Sequence, residues 1–413
     1  MHETWREVEI SAVAELNPES VSKKSPLDEI CYLDIGAVSS DGIDPAAVRT
    51  LKYSEAPSRA QRIIRAGDVI ISTVRPYLRA RDLVGQPFDG FVASTGFCVV
   101  RPGPDILPGY LAAVTSTDKF YEHLESRQTG ALYPAVRPGD IAEARIALPP
   151  LEEQQRIADF ANSIGVVRER LTAHLIASRA LAANLRAEAF KGHDTVRLAD
   201  RVTVTMGRQR SPKHQTGKHI IPYLRAGNVK DGVLKLDDVL SMNFSPVEQQ
   251  KYALQDGDVV VTEGCGSLEQ IGASARWSGE ITGAVGFQNT LLRLRALPGL
   301  SDPEFVYQWA RWAFESGRFA ATAAGTHIFH IGAERAVEMT FPDLEIDEQK
   351  KIALQLQAAD SVSDAMEEER RVLKAFHSSL LHALVSGSLK LDAGYDRFLS
   401  ESESVSEPDL VTA

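Results

Sequence analysis

Few residues in this 413-residue chain have the type and spacing that chemistry demands. His327 and His330, in Thr326-His327-Ile328-Phe329-His330, could form a metal pair, but the motif holds no cysteine or carboxylate to complete it. Zinc sites normally draw three or four protein ligands. We therefore read Thr326 and His327 as part of a DNA-facing loop or of ordinary packing. Asn17-Pro18-Glu19-Ser20 begins like the Asn-Pro-Pro-aromatic loop of amino-methyltransferases, yet lacks the second proline and the ring. No phosphate-binding loop, dinucleotide fingerprint, HExxH or GxSxG elbow is present, which argues against catalysis by this chain. No cofactor or metal site is expected within it.

Two cationic clusters are more informative. Arg75-Pro76-Tyr77-Leu78-Arg79-Ala80-Arg81 places Arg75, Arg79 and Arg81 around the aromatic Tyr77. Between residues 208 and 219, a polar loop carries Arg208, Arg210, Lys213, His214 and Lys218. Guanidinium and ammonium groups suit phosphate oxygens, and arginine suits guanine edges, so both clusters are candidate DNA contacts. The net charge of -11 weighs against this at first sight, because counterion release by Lys and Arg drives DNA binding. Almost half of that charge, -5, sits in residues 391–413, and the rest of the chain is close to neutral.

The elements that position these clusters occur twice. Tyr32-Leu33-Asp34-Ile35-Gly36-Ala37-Val38 matches Tyr223-Leu224-Arg225-Ala226-Gly227-Asn228-Val229, and Ala66-Gly67-Asp68-Val69-Ile70-Ile71 matches Asp256-Gly257-Asp258-Val259-Val260-Val261. Gly130 pairs with Gly325, and Leu151-Glu152-Glu153-Gln154 with Ile346-Asp347-Glu348-Gln349. The matches are colinear with slowly drifting offset, which indicates a duplication of whole domains. In each copy a Gly-Asp turn feeds a β-branched strand, with further strands at Gly96 to Arg101 and Thr290 to Arg295. Shorter helices are expected at Gly109 to Ser126 and Glu304 to Phe319.

Each copy then exits through a proline into a long helical stripe. The first runs through Ile157, Phe160, Ile164, Val167, Leu171, Leu181 and Leu185; the second through Ile352, Leu356, Ala359, Val362, Met366, Leu373, Phe376, Leu380 and Leu384. Helices this long outreach a single domain, so they are expected to pair with each other, antiparallel. The expected layout is an α/β (α+β) domain over 1–150, a central helix over 151–193, a second domain over 194–343, a C-terminal helix over 344–390 and an acidic, disordered tail over 391–413. No stretch approaches the roughly 20 apolar residues of a membrane span, so a cytoplasmic protein is expected. Three widely spaced cysteines offer no disulfide framework and read as small buried hydrophobes.

Two diverged α/β domains, each closing in Pro followed by Leu-Glu-Glu-Gln-Gln-Arg-Ile-Ala or Ile-Asp-Glu-Gln-Lys-Lys-Ile-Ala and a long helix, resemble the specificity subunit of type I restriction-modification systems. The resemblance covers residues 5 to 390. It implies two target recognition domains, each reading half of a split site in double-stranded DNA, and a coiled coil docking two methyltransferase subunits. Restriction and translocation subunits would join them, and S-adenosylmethionine, ATP and Mg would be bound by those partners. A recognition subunit of another phage-defence or methylation complex, a coiled-coil scaffold and a stand-alone enzyme are the competing classes.

Overall fold

The computed structural model describes residues 5–21, 28–130, 132–391 and 394. The expected acidic tail over 391–413 lies outside the described residues apart from positions 391 and 394. The chain divides into two compact units, residues 1–172 with 369–413, and residues 173–368.

In the first unit, an antiparallel sheet orders its strands Ala14–Leu16, Phe97–Pro102, Val69–Ser72, Arg81–Leu83. The strand after Gly67-Asp68 is buried along its whole length. Its alternating side chains serve two cores: Val69 and Ile71 face one with Tyr110, Phe120 and Ile146, while Ile70 faces another with Leu33, Val84 and Phe97. A strand covered on both sides needs an unbroken apolar run, which explains the sequence. A second sheet runs Arg49–Lys52, Glu29–Leu33, Val92–Ser94, Ala60–Ile63 and contains one parallel pair.

The second unit repeats the plan. Its main sheet is ordered Val202–Met206, Leu291–Ala296, Val259–Thr262, Ser274–Arg276. Val259 and Val261 pack into one core, Val260 into another. A smaller sheet of Leu240–Asn243, Ile220–Leu224 and Gly286–Phe287 again holds a parallel pair.

The expected short helix of each unit is broken in two. In the first, Pro108–Val114 and Asp118–Arg127 are separated where the Thr115, Ser116 and Thr117 hydroxyls donate to the carbonyls of Leu111, Ala113 and Val114. Such back-bonding competes with helix continuation. In the second, Pro303–Glu315 and Arg318–Thr322 are divided at Gly317, whose φ of 74° lies in the left-handed region.

The repeated Glu-Gln motif has a structural reason. Gln154 is fully buried and satisfies three backbone groups: it accepts from the Leu107 amide at 2.8 Å and donates to the Asp105 and Pro149 carbonyls at 3.0 and 2.9 Å. Gln349 repeats every bond, accepting from Asp302 at 3.0 Å and donating to Leu300 and Leu344 at 3.0 and 2.8 Å. Each glutamine ties the start of a long helix to the loop before the shorter ones.

The long helices run Leu151–Ala189 and Ile346–Val385 and pair antiparallel. In the first unit Ile157 is buried with Leu381, Leu384 and Val385, and Phe160 and Leu380 pack partly against them. In the second, the Ser178 and Ser363 hydroxyls meet at 2.8 Å, and the buried Arg186 bonds Asp360 at 2.6 Å and Glu315 at 2.5 Å. Leu356 is buried, and Ile164, Leu171, Met366 and Leu373 are half-buried. Val167 and Phe376, expected in the seam, are exposed; Leu175, Ala182 and Ser363 are buried instead. The small Ala182 and Ser363 let the helices approach closely there, which a count of large apolar residues overlooks.

Cys98 is buried, and its thiol is pushed up to about 12 by desolvation; Cys31 and Cys265 are half-buried. Among the described residues no helix is long and apolar enough to cross a membrane.

Candidate nucleic-acid interface

The candidate residues are carried by loops at one end of each main sheet. In the first unit Ser72 lies opposite Phe97, so the segment after Ser72 leaves the sheet where Phe97 enters it. The Thr73 amide bonds Gly96 at 2.8 Å across that gap. Beyond it, Arg75 and Arg79 adopt left-handed conformations, φ 50° and 54°, on either side of the one-turn segment Pro76–Leu78. Left-handed backbone is unfavourable for side chains other than glycine and concentrates at functional loops. Here the two bends seat Pro76 inside the fold and leave Tyr77 and Leu78 outside.

A hairpin stands beside this turn. Thr129 and Ala135 exchange two backbone hydrogen bonds of 2.9 Å, and Arg75 donates to the Pro134 carbonyl at 2.7 Å. Gly130 sits at φ 93°, where a Cβ would come within 2.8 Å of the Tyr133 carbonyl, so the bend demands glycine. The Arg75 guanidinium lies over the Tyr133 ring, 5.4 Å from its centre. Arg79 lies over Tyr121 and is paired with Asp118.

The second unit repeats the arrangement. Gly264–Cys265, following Val259–Thr262, pairs with Phe329–His330. Ala324 and His330 exchange two backbone bonds, of 3.0 and 2.9 Å, and Gly325 makes the bend at φ 136°. Thr326, His327 and Ile328 are exposed at its tip. His330 Nδ1 lies 3.1 Å from the buried carboxylate of Glu263, which also accepts from the Gly332 amide at 3.2 Å. The two histidines therefore belong to a hairpin, and among the described residues no cluster with metal-binding composition occurs. The basic loop joins the same end: the Arg208 amide donates to Phe287 at 2.9 Å and the Asn289 amide to Arg208 at 3.0 Å. The Glu263 amide donates to the Thr290 carbonyl close by, at 2.9 Å. Arg210, Lys213 and Lys218 are exposed, and His214 is half-buried.

Two arginines of the expected contact set are committed to the fold. Arg208 is buried, stacks over Phe244 at 5.0 Å, bonds the Asn243 carbonyl and pairs with Glu248 at 2.7 Å. Arg81 lies within a strand opposite Ile71 and bonds the Ala112 carbonyl at 3.4 Å, while burial pulls its pKa below the usual arginine value. Both act inside their units. Conversely, the exposed Leu132 and Tyr133 stand at the tip of the first hairpin, which the clusters did not include. The match of Gly130 to Gly325 was the signal that could have located both tips.

The family model of the type I restriction modification DNA specificity domain matches residues 2–176. Over 200 residues the chain is 24% identical to the EcoKI specificity subunit of Escherichia coli, covering 43% of this chain and 42% of that protein. It is 22% identical over 163 residues to the HindI specificity subunit of Haemophilus influenzae, covering 38% of this chain and 34% of the relative. The match thus spans well under half the length of these curated relatives. A chain from a structure described as the "complex assembly and conformational transition of the type I R-M system" shares the fold over 93% of this chain and 98% of its own, with TM-score 0.59 and 23% identity. Residues 2–176, within the first unit and the start of the second, are thus similar to that DNA specificity domain. The chain as a whole shares the fold of a chain from a type I R-M structure.

Proposed function

We propose that this chain is the DNA-reading subunit of a type I restriction-modification complex, non-catalytic in itself. Each unit reads one half of a two-part target through the loops at the end of its main sheet. The observation that carries this reading is the repetition of a strand-exit segment beside a glycine-bent hairpin in both units. Arg75 and the exposed Arg210, Lys213 and Lys218 supply cations for phosphate, with Tyr77, Thr326 and His327 within the same loops. Methyltransferase subunits dock on the paired helices and bring S-adenosylmethionine; restriction subunits bring ATP and Mg.

Co-purification from the native host, followed by selection of bound duplexes from a random library, tests the proposal. The expected result is a methyltransferase in the complex and a bound site of two defined halves separated by unspecified bases. Binding that is indifferent to sequence, or methyl transfer by the isolated chain, would overturn it.

A further inference from the structure

The two sheet ends are built alike but are chemically unequal. In the second unit the loops present cations, Thr326 and a histidine, with two large apolar side chains, Ile328 at the hairpin tip and Leu268, 45% exposed, on the segment after Val259–Thr262. The first unit presents four large side chains on two adjoining loops: Tyr77 is 52% exposed, Leu78 53%, Leu132 86% and Tyr133 70%. Four large apolar or aromatic side chains exposed together on loop tips carry a hydration cost that burial against a partner relieves. Its backbone is also firmly held. Pro76 is buried, Arg79 is anchored to Asp118, the hairpin closes on itself at Thr129 and Ala135, and Arg75 ties the two loops together through Pro134.

The geometry points to an apolar wedge, with Tyr77 and Leu78 on one loop and Leu132 and Tyr133 on the other, that unstacks one base step in the half-site read by the first unit. The inference rests on the DNA-reading function proposed above and adds a mode of recognition to it. Leucine and aromatic side chains open base steps when inserted between them, and the cost falls at flexible pyrimidine–purine steps. DNA fits the patch better than protein does, because the Arg75 guanidinium lies over the Tyr133 ring, 5.4 Å from its centre, and can meet the phosphate flanking an opened step. Ile328 falls at the same offset from its glycine as Tyr133 from Gly130, and it is 57% exposed. The second unit thus carries a reduced version of the same feature. The first half-site is consequently selected in part by deformability, at a step without hydrogen-bonded base contacts.

The test uses the full chain with its methyltransferase partners and the site found by selection, with 2-aminopurine substituted at each position in turn. The wild-type complex should brighten the probe several-fold at one step of the first half-site. Leu78→Ala with Leu132→Ala should abolish that signal and weaken binding about tenfold, within the range of base–side-chain stacking contacts. Both residues are exposed, so folding is unaffected. The double variant should also relax selection at that step and leave the second half-site unchanged. Selective binding without brightening at any position, or a double variant that selects the same step with equal affinity, overturns the wedge alone. Loss of the methyltransferase from the variant complex with DNA selection intact assigns the patch to protein docking and also overturns it. Failure of the wild-type complex to select any sequence overturns the DNA-reading function, and the wedge with it.

Discussion

Arg295 grips Asp258 with two hydrogen bonds, Nε to Oδ1 at 2.6 Å and Nη2 to Oδ2 at 2.7 Å, and the carboxylate is completely buried. Arg101 holds Asp68 in the same way in the first unit, at 2.8 and 2.9 Å. In each case the aspartate also accepts from the backbone three residues before it, Gln255 or Arg65. Removing the carboxylate leaves a turn amide unmet and a strand-borne cation with only its secondary partner, the Ala253 carbonyl for Arg295 and Glu19 for Arg101. Asp258→Ala should destabilise the second unit by about 3 kcal/mol, given the cost of breaking buried pairs and the partial exposure of Arg295. The exposed pair Arg197–Asp200 is the control, and its loss should leave stability almost unchanged. Urea unfolding of the two variants checks the contrast.

Acid should weaken the first unit through His377. Its Nε2 is buried without a hydrogen-bond partner among the described residues, and burial, with Arg168 and Arg81 nearby, pushes its pKa down to about 4. The unfolded imidazole takes up a proton near pH 6.5, whereas the folded one resists until about pH 4. Between those values the unfolded state binds more protons, so stability falls as pH drops. The loss should reach up to about 2 kcal/mol at pH 5. His377→Gln should flatten this part of the pH profile, as read by hydrogen exchange in residues 369–385.

Replacing Arg210, Lys213 or Lys218 with glutamine should weaken DNA binding almost uniformly across sequences. Each loss should reduce the slope of log K against log salt by about one. Arg208→Ala should behave differently, lowering the stability of the second unit because the side chain lies within it. Anisotropy titrations from low to physiological salt, alongside thermal unfolding, separate the two outcomes.

Shortening the helix pair should change the spacer of the DNA site. Seven residues removed from each long helix take away about 10 Å at 1.5 Å per residue, roughly three base pairs of B-DNA. Site selection on this variant should return both half-sites intact with fewer bases between them. An unchanged spacer would show that the helices do not set it.

The long helices were legible in the sequence through their local periodicity, the strands after the Gly-Asp turns through short β-branched runs, and the duplication through colinear matches between distant segments. The direction of individual side chains was not. Arg81 and Arg208 look like surface cations until the strand register and Phe244 are seen. Val167 and Phe376 have the spacing of seam residues yet face solvent, since the register between two helices depends on both partners. The tip of the first hairpin was missed for a different reason: Leu132 and Tyr133 are apolar, and apolar residues are read by default as core.

The grip of Gln154 and Gln349 engages only amides and carbonyls. Such a joint is indifferent to the identity of the amino acids it fastens. Neutral drift can therefore rewrite nearly everything around it while the junction survives. That tolerance fits two copies that have diverged until little more than turns and helix starts still match, and it leaves the loop tips free to change without redesign of the frame.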